Sequence, residues 1–245
     1  SATMKPMHID GVLDRAHVVS LPLAVRFRGI TTREALLIEG PAGWGEFAPF
    51  LEYGPAESAA WLRAGLEAAY EGFPEPVRDS IEVNATIPAV PASEVPAVVE
   101  RYPGCRTFKI KVAEKGHTLA DDAARVRAVR DAVTQRGDIP ILRVDANGGW
   151  TVDEAVEAAQ MMMPLDYMEQ PCATTEELAQ VRGRLMRAGL FVRVAADESI
   201  RKVADPYRVA ELQAADVAVV KPAPLGGVRR VLEVAQHLRQ RHMDI

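Results

Sequence analysis

The chain has 245 residues, 48% of them hydrophobic and 26% charged, and a formal net charge of −5. That length fits one large α/β domain or a barrel with a smaller companion. Lysines and arginines are dispersed among the acids, which leaves no basic stripe for nucleic acid, and no apolar run approaches the roughly 18 residues of a membrane span. A small-molecule or protein partner is expected.

Cys105 and Cys172 stand far apart without a CxxC pattern, so neither a disulfide framework nor a zinc site is signalled and idle thiols are expected. The segment Ser1-Ala2-Thr3-Met4-Lys5-Pro6 lacks the apolar core of a secretion signal. An added remnant before Met4 and a cytoplasmic location are the expectations.

Taken in chain order, residues 12–20 and 33–39 read as strands, and Gly40-Pro41-Ala42-Gly43 turns the chain into Trp44-Gly45-Glu46-Phe47. Ala59, Leu62, Leu66, Ala69 and Tyr70 recur at helical spacing until Gly72-Phe73-Pro74 stops the helix. Residues 1–80 thus form an α+β capping domain. Its loops near 26–31 and 47–53 carry Arg26, Arg28 and Phe50, which suit either a substrate lid or a solvated hairpin.

From residue 81 the pattern alternates. Strands are expected at 81–86, 107–112, 140–145, 166–169, 190–196 and 216–220, with helices near 92–101, 119–134, 152–163, 174–187, 205–212 and 227–240. Thr151 and Glu154 form a capping box at one helix start. Six βα units in a row either close as a barrel or spread as a doubly wound sheet, and no glycine-rich phosphate loop follows the first strand. Gly226-Gly227 precedes a helix N-terminus, either as an anion site or as a plain entry turn.

Charged residues recur at the C-terminal ends of these strands: Lys109 and Lys111, Asp145, Glu169, Asp197 and Lys221. From Lys111 the gaps are 34, 24, 28 and 24 residues, the length of one βα unit each. Strand ends of a parallel barrel converge, so Asp145, Glu169 and Asp197 would share one pocket. Three converging anions raise one another's pKa, and a hard cation with oxygen ligands removes that cost. Mg²⁺ is the expected metal, with Mn²⁺ as the alternative.

Asn147 would add an oxygen directly or through water, and strand alternation would aim Glu198 away, as a supporting residue. Lys109 shares a face with Lys111, and Arg143 with Asp145. A lysine beside a metal and a second cation loses its proton more readily and suits a general base, here Lys111 with Lys221 opposite. A base beside a divalent metal suits proton abstraction α to a carboxylate.

These residues resemble the enolase superfamily, in its muconate-lactonizing-like branch. The strings Phe27-Arg28-Gly29-Ile30-Thr31, Gly43-Trp44-Gly45-Glu46-Phe47, Lys109-Ile110-Lys111-Val112-Ala113-Glu114, Val144-Asp145-Ala146-Asn147-Gly148, Glu169-Gln170-Pro171, Ala196-Asp197-Glu198-Ser199 and Pro224-Leu225-Gly226-Gly227-Val228 are similar to the o-succinylbenzoate synthase family of actinobacterial type. The resemblance implies a (β/α)7β modified TIM barrel over 81–245, about six units long here and incomplete at its C-terminal end. It also implies Mg²⁺-dependent syn dehydration of 2-succinyl-6-hydroxy-2,4-cyclohexadiene-1-carboxylate to o-succinylbenzoate, a step of menaquinone biosynthesis.

In that family the residue matching Lys111 is the base, the one matching Lys221 stabilises the enediolate by a cation–π contact, and Asp145, Glu169 and Asp197 match the metal ligands. Alternatives with the same site are an N-succinylamino acid racemase, a dipeptide epimerase or a cycloisomerase. A further alternative is an inactive fragment serving as a folding or interaction module. The chain stops at His242-Met243-Asp244-Ile245, where the family enters its seventh strand. Either a truncated portion of a longer protein or a gap filled by another chain is expected, and a monomer is compatible with the sequence.

Overall fold

In the computed structural model, which describes residues 8–245, the helices and strands follow the polar and apolar rhythm of the sequence closely. Residues 1–7, with the expected junction before Met4, lie outside the described residues. In chain order the elements begin with α1 (Ile9–Leu13), β1 (Ala16–Phe27), β2 (Ile30–Gly40), β3 (Gly43–Phe47) and α2 (Pro55–Leu66), which runs into a π turn, Glu67–Glu71. Next come β4 (Ala85–Ile87), α3 (Val95–Val99), β5 (Thr107–Lys111), α4 (Leu119–Gln135), β6 (Ile141–Asp145) and α5 (Val152–Met162). The chain continues through β7 (Tyr167–Glu169), α6 (Thr175–Arg187), β8 (Arg193–Ala196), α7 (Asp205–Glu211), β9 (Val217–Ala218), α8 (Pro222–Leu225) and α9 (Val228–Gln240). Among the described residues no helix is long and apolar enough to cross a membrane.

Two units emerge. The first holds the residues up to Val77 together with Val220–Gln236, and the second holds Arg78–Val219 with His237–Ile245. The division falls between Val77 and Arg78. The segment Val220–Gln236, expected in the barrel, groups instead with the first unit.

In the first unit β1, β2 and β3 form an antiparallel meander. Val12, Ile38 and Ala69 form its core, with Leu36, Leu62 and Leu66 packed on them. Val12 and Leu13, expected to open a strand, lie in α1 instead, and pairing begins at Ala16 opposite Ile38. The loop at 26–31, read as a lid or a solvated hairpin, is built on a two-residue hairpin turn: Phe27 pairs with Ile30, and Arg28 (φ 49°) and Gly29 (φ 78°) both take left-handed backbone. Helix α2 lies so close to β3 that a Cβ on Gly45 would stand 1.9 Å from the Gly65 carbonyl oxygen.

The second unit is a six-stranded parallel sheet in the order β4-β5-β6-β7-β8-β9. Sequential order is that of a barrel wall; a doubly wound sheet would reverse direction partway. Alternate residues face opposite sides. Phe108, Ile110, Leu142, Val144, Met168 and Val194 are buried on one side, while Lys109, Lys111, Arg143 and Asp145 occupy the other. Ile81 and Val83, expected in the first strand, are exposed, because β5 starts only at Thr107 and offers pairing from Ala85 onward.

Three helices of this wall start at the same device. Thr118 with Asp121, Thr151 with Glu154 and Thr174 with Glu177 each close a reciprocal capping box, so the loop after each strand turns into its helix at a fixed residue. Cys172 is buried and Cys105 partly so, and both are free thiols.

The Gly45–Gly65 approach makes a direct test of the first unit. Gly45→Ala is expected to cost about 1–3 kcal/mol of stability through overpacking. A lowered urea midpoint reads this; an unchanged midpoint would contradict the close approach.

Candidate active site

The register of the parallel strands sets two rows of side chains on the polar face. One row runs Thr86, Lys109, Arg143, Tyr167, Arg193, and the next, nearer the C-terminal ends, runs Lys111, Asp145, Glu169, Ala195, Val217. Asp197 follows two residues beyond Ala195, past the end of β8. The two rows bring a lysine pair and two carboxylates together.

Asp145 and Glu169 are buried side by side, at 2% and 0% exposure. Lys111 Nζ donates to Asp145 Oδ2 at 2.6 Å and to Asn147 Oδ1 at 3.0 Å. Lys109 Nζ stands 3.7 Å from Asp145 Oδ2 and 3.1 Å from Glu169 Oε2. Burial works against the Lys109 ammonium, but Glu169 and Asp145 outweigh it and hold its pKa above the ordinary 10.5. Burial, and next the Asp145 charge, push the Glu169 carboxyl up to about 7 despite Lys109.

Asp197 is met by Arg201, whose Nη2 lies 3.1 Å from Oδ2 and 3.5 Å from Glu198 Oε1. Glu198 departs from expectation. Strand alternation ends at Ala196, and a 3-10 turn, Glu198–Ile200, brings the Glu198 carboxylate to Asn147, whose Nδ2 donates to Oε1 at 3.0 Å. Asn147 itself takes left-handed backbone (φ 45°), its N–H donating to Asp145 Oδ1 at 3.1 Å.

Gln170, wholly buried and also left-handed (φ 39°), ties the ends of β7 and β8 together. Its Oε1 accepts from the Asp197 and Ser199 amides at 3.1 and 3.2 Å, and its Nε2 donates to Cys172 O and Ser199 Oγ. Neither Gln170 nor Arg201 has a role assigned from the sequence.

Arg143 does not reach the carboxylates of the upper row. Its Nε donates to Asp166 Oδ2 at 2.9 Å and Nη1 to Asn84 Oδ1, while Arg193 Nη2 takes the other Asp166 oxygen at 2.6 Å. Burial opposes the Asp166 charge, but the two guanidiniums hold its carboxyl below the ordinary 3.8.

In the first unit Arg28 lies 3.8 Å over the Phe50 ring and pairs with Glu52 at 3.0 Å, while Arg26 sits at the end of β1. Lys221 belongs to that unit too, as the extended residue preceding α8. At Gly226-Gly227, read as an anion site or a plain entry turn, the anion is supplied internally. Glu67 accepts from the Val228 amide at 2.7 Å and the Arg229 amide at 3.3 Å, and a Cβ on Gly227 would stand 2.8 Å from its carboxylate.

Among the described residues no three His, Cys, Asp or Glu side chains are arranged to hold a metal ion; lysines and an arginine take up the carboxylates. The donor set nevertheless fits a cation. Both oxygens of Glu169 and Oε2 of Glu198 are buried without a hydrogen-bond partner, and Lys109 meets Glu169 as an ion pair lacking hydrogen-bond alignment. Buried carboxylate oxygens without donors gain most from a hard, oxygen-preferring cation.

Comparison with known proteins defines the class first. Residues 18–69 match the model described as "Enolase N-terminal domain-like", and residues 92–245 match "Enolase C-terminal domain-like". The fold is similar to the L-Ala-D/L-Glu epimerase of Bacillus subtilis (24% identity, TM-score 0.74, 93% of this chain and 79% of that one). It is also similar to the muconate lactonizing enzyme of Pseudomonas putida (24%, TM-score 0.69, 93% and 77%). A mandelate racemase/muconate-lactonizing-type protein of Roseovarius nubinhibens, solved in complex with magnesium, aligns at 21% identity and TM-score 0.72, over 94% of this chain and 76% of that one.

In sequence the chain is 58% identical over 233 residues to the o-succinylbenzoate synthase of Mycolicibacterium smegmatis, covering 94% of this chain and 69% of that protein. It is 56% identical over 237 residues to that of Mycobacterium marinum, covering 95% and 69%. The chain belongs to the o-succinylbenzoate synthase family of the enolase superfamily.

The raised Glu169 pKa carries a sign. A carboxyl that titrates at about 7 when folded and at 4.5 ordinarily contributes stability fully present below 4.5 and lost as pH rises to about 7. Relative to Glu169→Gln, the metal-free protein is expected to lose up to about 3 kcal/mol across that window, and Mg²⁺ is expected to restore it. Denaturant unfolding across this range checks both; parallel curves would contradict the burial argument.

Proposed function

We infer that the chain catalyses the o-succinylbenzoate synthase reaction, and that Lys111 performs its proton transfers. The single observation that carries the assignment of roles is the row Lys111, Asp145, Glu169, which sets a lysine 2.6 Å from one of two adjoining buried carboxylates at the C-terminal end of the barrel strands.

The neutral Lys111 amine takes the proton α to the carboxylate of 2-succinyl-6-hydroxy-2,4-cyclohexadiene-1-carboxylate, and the bonding pair moves into that carboxylate as an enediolate. The Lys111 ammonium then gives its proton to the hydroxyl on the same face as the C–O bond breaks. Water leaves and the ring becomes aromatic. Asp145, Glu169 and Asp197 are the residues that would hold Mg²⁺, or Mn²⁺ in its place, which supplies positive charge for the enediolate when bound.

Lys109 is the fixed cation of the site, since it is held charged between Glu169 and Asp145. Asn147 ties Lys111 to Glu198 by one hydrogen bond to each. Lys221 takes the enediolate-stabilising role from the family resemblance alone, and Arg26, Arg28 and Phe50 take substrate contact from the aromatic and cationic composition of their loops. Action in menaquinone biosynthesis, in the cytoplasm, belongs to this reading.

The reading is tested by incubating the chain with the cyclohexadiene substrate and Mg²⁺. Formation of o-succinylbenzoate is expected, as is a loss of about 10²–10⁴-fold in kcat for Lys111→Ala with Mg²⁺-dependent thermal stabilisation retained. Asp197→Asn is expected to lose that stabilisation. A near-normal rate in Lys111→Ala would remove Lys111 as the base, and racemisation of N-succinyl amino acids without dehydration would replace the reaction.

A further inference from the structure

Directly behind Lys111 lies an ion pair that no step of the reaction uses. Arg125 on α4 is 1% exposed and Asp122, one turn earlier, is 1% exposed. Arg125 Nη1 donates to Asp122 Oδ1 at 2.9 Å and to the Lys111 carbonyl at 2.9 Å. Its Nε donates to the Val90 carbonyl, in the segment after β4, at 2.6 Å, and Nη2 lies 3.0 Å from His117 Nδ1. The second oxygen of Asp122 accepts from the Ala113 amide at 3.0 Å.

We propose that Arg125 and Asp122 are the positioning residues of Lys111, fixing the backbone on both sides of Val112 and so the origin from which the base reaches its substrate. The proposal rests on the reading of Lys111 as the base.

Stability alone does not explain such a pair. A buried guanidinium and carboxylate give up their hydration, and well-packed apolar residues at such sites are often as stable or more so. What an apolar pair cannot do is bond to the Lys111 carbonyl and the Ala113 N–H at once. That matters here because β5 ends at Lys111 and the chain swings into left-handed backbone at Ala113 (φ 58°), where a non-glycine residue persists only if its surroundings hold it.

The two side chains supply that hold. They join the strand end carrying the base to the helix that follows it and, through Val90, to the segment after the neighbouring strand. A base held on a long, flexible side chain needs a fixed root, since a misplacement of about 1 Å costs on the order of 10²-fold in rate.

The test uses the full chain with Arg125→Lys, Arg125→Met and Asp122→Asn, each measured for kcat, KM, Mg²⁺ affinity by titration calorimetry, and amide hydrogen exchange. In folded variants kcat is expected to fall by about 10- to 100-fold, with KM and Mg²⁺ affinity close to wild type. Amide exchange is expected to quicken over residues 111–114 while β6 and α5 stay protected. Folded variants that keep wild-type kcat and wild-type exchange at 111–114 would overturn the proposal, as would a uniform loss of protection with kcat falling only as the folded fraction falls.

Should Arg125→Met not fold, Asp122→Asn decides, because its Oδ1 still accepts a hydrogen bond while the charge is gone. Should the wild type show no dehydration, the reading of the reaction fails, and exchange at 111–114 alone decides the positioning role by the same two outcomes.

Discussion

Two carboxylates buried side by side, Asp145 and Glu169, are the constraint from which the rest of the site follows. Parallel register makes them neighbours on one face, and withdrawal from water makes both charges costly. The protein meets this cost with positive charge from within. Lys109 lies between them and Lys111 pairs with Asp145, yet both Glu169 oxygens still lack a hydrogen bond. Buried oxygens so deficient in donors suit a hard cation, and in its place Lys109 and Lys111 supply the positive charge.

Around this centre the fold holds each piece from behind. Gln170 fixes the ends of β7 and β8 relative to each other, and the Arg125–Asp122 pair grips the end of β5. Below, Arg143 and Arg193 share Asp166. The polar face of this wall therefore has two rows, with Lys109, Arg143 and Arg193 in the lower one and Lys111, Asp145 and Glu169 nearer the C-terminal ends of the strands.

Much of this was legible in the sequence because two periodicities coincide. Lys109 and Lys111 alternate with Phe108 and Ile110, and Arg143 and Asp145 alternate with Leu142 and Val144, so the polar face and its strand ends can be read directly. Other parts depend on events that local pattern does not encode. Glu198 was expected to point away, but a 3-10 turn replaces the strand and turns it toward Asn147. Arg125 sits in a helix rich in charge and drew no notice in the sequence, although it is buried with four backbone or side-chain partners. Gly226-Gly227 left an anion site and a plain entry turn open, and Glu67, 161 residues away from Val228, supplies the carboxylate there.

The most direct measurement of the central claim is anomalous diffraction from crystals grown with Mn²⁺. One anomalous peak is predicted, coordinated by oxygens of Asp145, Glu169 and Asp197, with Lys111 Nζ moved off Asp145 Oδ2. Crystals in which Lys109 and Lys111 keep their pairs with Asp145 and Glu169 at saturating Mn²⁺, with no peak at the carboxylates, would contradict it.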